Sequence, residues 1–266
     1  MSATTRVIVL GCGSSAGVPR IGGDWGTCDP SDPRNRRSRC SIIVERTTGA
    51  GTTRALVDTT PDLRSQLLSA GIGLLDGVAW THAHADHIHG IDDLRTVVQN
   101  RRARLPVWAD PETGDLLLTR FAYVFVAPAG SLYPPILDLR TIDGPFEIGG
   151  AGGAIRLEPF CVRHGRIEAL GFRIGDFAYL PDVSEIPEDA WPALAALGTL
   201  MVDALRREPH PTHAHLARSL EWIARLAPRR AILTNMHNDL DYATLAAELP
   251  AGIRPAHDGL VFEIGP

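Results

Sequence analysis

The chain has 266 residues, of which 44% are hydrophobic and 21% charged, values typical of a globular protein that buries a substantial core. Its formal net charge of −5 argues against nucleic-acid binding through a broad basic surface. No apolar run is long enough to span a membrane, and the polar residues 1–5 do not resemble a secretory signal. The four cysteines lack paired spacing, which disfavours a disulfide framework. We therefore expect a reduced, cytoplasmic protein with no membrane partner.

Short apolar runs and turn residues divide the chain into alternating strands and helices. Strands are predicted, in chain order, at 7–10, 40–44, 55–58, 77–80, 106–109, 154–157, 159–163, 171–174, 177–181, 199–202, 231–234 and 260–263. Helices are predicted at 61–70, 112–121, 187–196, 216–226 and 242–249, with an amphipathic segment at 91–99. No linker or short-period repeat interrupts this alternation. It predicts one α/β domain over residues 1–266.

The most informative segment is 81–90, Thr-His-Ala-His-Ala-Asp-His-Ile-His-Gly, which holds four of the ten histidines. His82, His84, Asp86 and His87 lie on the turn that leaves the predicted strand 77–80, where their side chains can converge. Imidazole and carboxylate donors without a thiolate suit zinc, manganese or iron. The alternative is a solvated histidine-rich turn that binds metal incidentally. Because the segment follows a strand instead of lying at a terminus, we favour a metal site.

Further ligands are expected singly at the ends of later strands. His164 follows the extended segment 159–163, Asp182 follows an apolar strand that closes on proline, and His237 lies just beyond the strand 231–234. Taken alone, each residue is more typical of an ordinary surface or core polar side chain than of a metal ligand. Together with the first cluster, in this order, they are candidate metal ligands.

This arrangement resembles the metallo-β-lactamase superfamily, and more closely the branch containing the cyclic phosphodiesterase of the carbon–phosphorus lyase pathway. Further support comes from the loop 11–17 with Val18 and Pro19, Arg36 and Arg37 ahead of Cys40 and Ser41, Asp58, and Asp258 with Gly259. The resemblance covers nearly the whole chain. It implies a four-layer αβ/βα sandwich whose two divalent metal ions, Zn²⁺ or Mn²⁺, lie at one edge of the sheets.

The resemblance also assigns roles to individual residues. One metal ion would be held by His82, His84 and His164, the other by Asp86, His87 and the late histidine, with Asp182 as the bridge. Two bridged cations suit hydrolysis by an activated water. Asp86 and Asp182 are therefore expected to contribute to catalysis. Asp58 is either an acceptor that orients a ligand imidazole or a turn residue at a strand end.

Two features depart from the family pattern. Many relatives place the last metal histidine directly after the late-strand threonine, where this chain has Asn235; His237, two residues later, is the favoured substitute. Some members of the branch also carry three closely spaced cysteines for a structural zinc. This chain keeps only Cys28 and has Asn238 near the expected histidine, so no structural zinc is expected.

The resemblance implies hydrolysis of a small phosphodiester, cyclic or nucleotide-like, whose departing alkoxide needs a proton. In the resembling families a histidine before a leucine-containing helix is the general acid. His213 aligns best with it and His215 is the reserve, although Thr212 as a helix cap with solvated histidines nearby explains the segment too.

Three alternative functions remain open. A 3′-processing ribonuclease of this superfamily usually needs a basic arm, and neither the acidic balance nor a long insertion supports one, which disfavours large nucleic acids. A lactone or thioester hydrolase would use the same metals with less need for His213. A non-enzymatic metal-binding protein is the least favoured, since all seven ligand positions can be filled. The expected partner is a small phosphate ester, and a homodimer is compatible with the sequence.

Overall fold

The computed structural model describes residues 3–127 and 129–265 and contains two seven-stranded β-sheets. The strands are β1 (Thr4–Gly11), β2 (Ser41–Thr48), β3 (Gly51–Val57), β4 (Gly77–Ala79), β5 (Leu105–Ala109), β6 (Leu137–Thr141), β7 (Phe146–Ile148), β8 (Ile155–His164), β9 (Ile167–Ile174), β10 (Phe177–Leu180), β11 (Thr199–Asp203), β12 (Arg230–Thr234), β13 (Ile253–Pro255) and β14 (Val261–Ile264). The α-helices are α1 (Leu63–Ala70), α2 (Ala85–Ile88), α3 (Leu94–Arg101), α4 (Pro111–Phe125), α5 (Leu216–Leu226) and α6 (Tyr242–Glu248).

Each sheet combines an antiparallel half with a parallel half. The first sheet has the order β14-β1-β2-β3-β4-β5-β6, and its strands from β3 to β6 pair in parallel. The second has the order β13-β12-β11-β10-β9-β8-β7, and its strands from β10 to β13 pair in parallel. Parallel neighbours end at the same edge of a sheet, so the residues that follow them are brought close together.

Alternation along β1 shows how the layers are built. Val7 and Val9 belong to a core that lies between the two sheets, whereas Ile8 and Leu10 belong to a second core beneath α1, α3 and α4. This is the two-residue period of a strand buried on both faces. Helix α5 packs Trp222 and Ile223 on the second sheet. Helices therefore cover the outer face of each sheet, which confirms the predicted four-layer αβ/βα sandwich.

The helix prediction for 187–196 was wrong. This segment contains only a short 3₁₀ turn at Trp191–Leu194. Pro192 has no N–H to donate and disfavours an α-helix around it. The segment is instead held by packing, because Leu194 is fully buried.

Three short strands, β6, β7 and β13, were not predicted from the sequence. All three lie at the edges of the sheets, where one face is partly exposed and the apolar pattern is weak. Within residues 3–127 and 129–265, no helix is long and apolar enough to cross a membrane.

Candidate metal centre

The predicted cluster lies where strands of both sheets end. The chain leaves β4, passes through His82 and His84, and enters the short helix α2, which carries Asp86 and His87. His164 is the last residue of β8. Asp182 follows β10, Asp203 ends β11 and Asn235 follows β12. The parallel pairing of β10, β11 and β12 accounts for the proximity of these last three residues.

Four of the predicted ligands form one compact group. One donor atom from each of His82, His84, His164 and Asp182 lies within 4.8 Å of the others. Asp182 Oδ2 is 3.7 Å from His82 Nε2 and 3.5 Å from His164 Nε2. His84 Nδ1 lies 3.1 Å from His164 Nε2. Three imidazoles around one carboxylate oxygen match the donor set that holds zinc in hydrolytic sites.

A second group faces the other oxygen of Asp182. His87 Nε2 lies 3.4 Å from Asp182 Oδ1 and 3.5 Å from Asp86 Oδ2. The two carboxylate oxygens of Asp182 therefore point to different sets of donors. A carboxylate that bridges two cations has this geometry.

The outer nitrogens of three imidazoles are held by other residues. His82 Nδ1 lies 3.0 Å from Thr81 Oγ1, and His164 Nδ1 donates to the carbonyl of Thr212 at 2.6 Å. His87 Nδ1 donates to Asp58 Oδ2 at 2.8 Å. These contacts fix the rings so that Nε2 faces inward, as is usual for metal-binding histidines.

One buried atom indicates that the group fits a metal ion. His82 is 2% exposed, and its Nε2 has no hydrogen-bond partner among the described residues. A buried polar atom without a partner is costly. A cation bound at this nitrogen satisfies it, and the surrounding donors are of the type that binds divalent metals. The His/Asp cluster therefore fits divalent metal ions.

The protonation states also suit metal binding. Burial lowers the pKa of His82 well below its usual value, and burial also lowers the pKa of His84 and of His164. Burial opposes ionisation of Asp182, but the neighbouring imidazoles, His87 foremost, hold its pKa well below the usual range. Neutral imidazoles and an ionised carboxylate are the forms that bind cations. Burial lowers the pKa of His87, but the neighbouring carboxylates, Asp182 foremost, raise it well above its usual value, so a metal ion at His87 would displace a proton.

The structure brings Asn235, and not His237, to the cluster. Asn235 is 2% exposed, and its Nδ2 donates to Asp182 Oδ1 and to Asp203 Oδ1, both at 3.2 Å. His237 Nε2 contacts Arg20 Nη2 instead, and His237 Nδ1 lies 3.5 Å from Asp239 Oδ1. The shift of two residues expected to return an imidazole to the cluster is therefore not seen, because His237 is directed toward Arg20.

His213 lies beside the cluster, as the sequence predicted for a proton donor. Its ring centroid is 4.5 Å from that of His164, and its Nδ1 donates to Asp203 Oδ2 at 2.9 Å. Burial lowers the pKa of His213, but the Asp203 carboxylate more than offsets this and raises it to about 9. His215, the reserve candidate, is the N-cap residue of α5 and its side chain makes no capping hydrogen bond.

Asp203 is the residue that the sequence interpretation missed. It is fully buried and contacts both His213 and Asn235. It closes the apolar strand β11, Thr-Leu-Met-Val-Asp, in the way that Asp58 follows Ala-Leu-Val. The same signal that singled out Asp58, an acidic residue at the end of a buried strand, would have found it.

Two open clefts flank the cluster. A cleft of about 510 Å³ lies beside His82 and His84, and its lining includes Arg120 and Cys161. A second cleft of about 500 Å³ lies beside Asp86 and is lined in part by Arg20 and Arg39. Their size is that of sites for small molecules, and each carries arginine.

Comparison with known proteins identifies the family. The model of the beta-lactamase superfamily domain matches residues 53–236. A Porphyromonas gingivalis protein called octanoyltransferase is 35% identical over an alignment of 264 residues that covers 96% of this chain and 51% of that protein. A ribonuclease Z of Bradyrhizobium sp. ORS 278 is 30% identical over 149 residues, 53% of this chain and 46% of that protein. The chain thus spans about half the length of these curated relatives.

Solved structures give the same result. The crystal structure of a diphosphatase from the PhnP family has a TM-score of 0.87 and 37% identity, with 98% of each chain covered. Zn²⁺-bound PqqB from Methylobacterium extorquens has a TM-score of 0.73 at 19% identity, with 97% of this chain and 100% of that chain covered, a likeness of fold alone. The chain belongs to the metallo-β-lactamase superfamily of hydrolases, in the branch that includes the PhnP family.

Proposed function

We propose that the protein hydrolyses small phosphodiesters or nucleotide-like phosphate esters with two divalent metal ions, Zn²⁺ or Mn²⁺. The observation that carries the proposal is the position of Asp182, whose two oxygens face separate sets of donors while His213 lies beside them. The similarity to a diphosphatase of the PhnP family supports phosphorus as the reacting centre.

The residues of each metal position follow from the contacts of Asp182. His82, His84, His164 and Asp182 Oδ2 would hold one ion, and Asp86, His87 and Asp182 Oδ1 the other. Bound there, the ions supply positive charge that lowers the pKa of a water molecule and neutralises charge on the phosphoryl oxygens.

In this proposal His213 protonates the leaving group. Its Nδ1 is bonded to Asp203, so Nε2 is the nitrogen that can give a proton to the departing alkoxide. The buried Asp203 carboxylate stabilises the protonated imidazole and so keeps the proton available at neutral pH. A thioester would need such a donor less, because its thiolate leaving group is a much weaker base than an alkoxide.

The surroundings favour a small substrate. The clefts beside His84 and Asp86 each have a volume near 500 Å³ and carry Arg120 on one side and Arg20 with Arg39 on the other. Isolated arginines suit one phosphate group, whereas a long RNA needs an extended basic surface. The net charge of −5 argues against an extended basic surface of this kind.

Two other functions have a specific observation in their favour. Ribonuclease Z similarity covers about half of this chain, which favours RNA processing. The octanoyltransferase name of the Porphyromonas gingivalis relative favours acyl chemistry, although this chain spans only half of that protein.

A substrate panel tests the proposal. The metal-free protein is loaded with Zn²⁺ or Mn²⁺ and assayed with bis-p-nitrophenyl phosphate, cyclic nucleotides, nucleoside diphosphate esters, a precursor tRNA and a set of lactones and thioesters. We expect metal-dependent turnover of the small phosphate esters, abolished in Asp182→Asn. Activity confined to lactones or thioesters, or to precursor tRNA, would overturn the proposal.

A further inference from the structure

We infer that the two metal positions differ in chemistry: the first binds zinc preferentially, and the second, richer in oxygen, binds zinc less tightly and accepts manganese or magnesium, so that the centre holds two different metals when one zinc equivalent is present with manganese. The inference deepens the proposed function and rests on its two-metal centre. It is drawn from the donors that each oxygen of Asp182 faces.

The first position is rich in nitrogen. His82, His84 and His164 converge on Asp182 Oδ2, and all four donors lie within 4.8 Å of one another. His82 and His164 are 2% and 3% exposed, so these two imidazoles are held away from solvent, whereas His84 lies at the exposed side of the position. Three imidazoles and one carboxylate are a donor set that zinc prefers.

The second position is rich in oxygen because an imidazole is missing from it. Asn235 follows β12 at the place where an additional ligand would reach Asp182 Oδ1, and its Nδ2 donates a hydrogen bond to that oxygen. An amide N–H that donates does not bind a cation. The protein donors that remain are two carboxylates, Asp86 and Asp182, and one imidazole, His87.

Neither Asn235 nor His237 supplies the missing imidazole. Asn235 has a left-handed backbone, with φ of 59°, a conformation that asparagine tolerates better than most residues. Its amide is also held by the buried carboxylate of Asp203. His237 is held outside the cluster by Arg20 and by hydrogen bonds of its main chain to Leu205 and Arg37.

Ligand chemistry then predicts the metals. Carboxylate and water ligands suit Mn²⁺ and Mg²⁺, whereas imidazole-rich sites suit Zn²⁺. A position with three protein donors, two of them carboxylates, leaves places for water, which manganese and magnesium retain readily. Zinc should therefore fill the nitrogen-rich position first, and manganese should enter the other without displacing it.

Metal titrations of the full chain test the inference without an activity assay. Metal-free protein is titrated with Zn²⁺ by calorimetry, and protein that holds one zinc equivalent is titrated with Mn²⁺ and followed by electron paramagnetic resonance. We expect the second zinc to bind more weakly than the first by about tenfold or more, and one manganese to bind to the one-zinc protein. Elemental analysis should then give one zinc and one manganese per chain.

Variants test whether Asn235 causes the difference between the two metal positions. Asn235→His should bring the affinity for the second zinc toward that for the first and weaken manganese binding. His237→Ala is the matched control and should leave both titrations unchanged. Asn235→Asp keeps the shape of the side chain and adds a carboxylate, so it should raise manganese affinity. This variant decides the question if Asn235→His does not fold.

Two results would overturn the inference: equal zinc affinities at both positions of the wild-type protein, or manganese binding that Asn235→Asp does not strengthen. The outcome is separate from that of the proposed function. Hydrolysis of phosphate esters with two equivalent zinc ions would refute only the mixed-metal centre, whereas a mixed-metal protein that acts only on lactones would refute only the phosphodiesterase.

Discussion

Asp58 Oδ2 accepts a hydrogen bond from His87 Nδ1 at 2.8 Å, and this contact determines which nitrogen of His87 faces Asp182. Asp58 is fully buried, and its other contacts are also specific, because Thr81 donates to it through both its main-chain N–H and its hydroxyl. The backbone of Asp58 has a positive φ of 66°. The sequence left two roles open for Asp58. These contacts support the role of an acceptor that orients the imidazole of His87.

Asp58→Asn should weaken metal binding at His87. An amide at this position can donate to His87 Nδ1, which favours the tautomer whose Nε2 carries the proton and cannot bind a cation. Loss of such an orienting carboxylate typically lowers metal affinity by about 10- to 100-fold. Calorimetric titration with Zn²⁺ and Mn²⁺ measures the change. Asp62→Asn, at a carboxylate that pairs with Arg39 away from the cluster, is the control and should bind both metals as the wild type does.

His213→Asn should slow hydrolysis while leaving metal content intact. General-acid assistance is worth about 10²- to 10⁴-fold, so kcat for an alkyl phosphodiester should fall within that range. A p-nitrophenyl ester, whose leaving group needs no proton, should be affected much less. His210→Asn is a suitable control, since that ring lies 5.2 Å from His213 and its Nδ1 contacts Thr212. Loss of metal in His213→Asn would show that the residue has a structural role.

Removal of metal should destabilise the protein through the buried cluster. His82 and Asp182 are nearly inaccessible, and a bound cation would satisfy the Nε2 of His82, which has no hydrogen-bond partner among the described residues. A ligand present at 1,000 times its Kd stabilises the folded state by about 4 kcal/mol. Scanning calorimetry should therefore show a lower Tm after chelation, and a much smaller effect of chelation in Asp182→Asn. An equal drop in both proteins would contradict a stabilising role for metal at this site.

The stability contribution of Asp258 should depend on pH. Its carboxylate accepts hydrogen bonds from Ser38 and Cys12, and burial nevertheless raises its pKa to about 6, against an ordinary value of 3.8. The folded state then binds this proton more tightly than the unfolded chain does. Its contribution to the free energy of unfolding is consequently greatest below about pH 4 and declines as pH rises to 6.

The Asp258→Asn variant isolates this contribution because an amide does not titrate there. Urea denaturation at several pH values gives the free energy of unfolding of both proteins. The difference, wild type minus variant, should decrease as pH rises from about 4 to 6. A difference that is constant or grows with pH would show that Asp258 is ionised in the folded protein throughout this range.

The sequence predicted the parts of this molecule that depend on local pattern. The His-rich turn after β4 identified His82, His84 and His87 as potential ligands without any structural information. Their positions at strand ends correctly suggested that His164, the last residue of β8, and Asp182, which follows β10, meet them. Alternating strands and helices predicted an α/β domain, and the four-layer arrangement was implied by the resemblance to the metallo-β-lactamase superfamily.

Features that depend on distant contacts could not be predicted in this way. His237 and Asn235 are both polar residues near one strand end, and only the contact of His237 with Arg20, more than 200 residues earlier, separates their positions. The role of Asp203 depends likewise on the return of the chain at His213. The edge strands have a weak apolar pattern, and prolines interrupt the segment 187–196. Local sequence therefore left the secondary structure of both ambiguous, and packing against the rest of the fold determines it.

The most direct test of the account is the position of oxygen transfer during hydrolysis. The metal-loaded protein is incubated with bis-p-nitrophenyl phosphate and with an alkyl phosphodiester in H₂¹⁸O, and the products are examined by phosphorus NMR. We expect metal-dependent turnover with one ¹⁸O on the phosphate product, from attack of water at phosphorus. Failure to hydrolyse either ester with zinc, manganese or both, or the appearance of ¹⁸O in the alcohol, would contradict it.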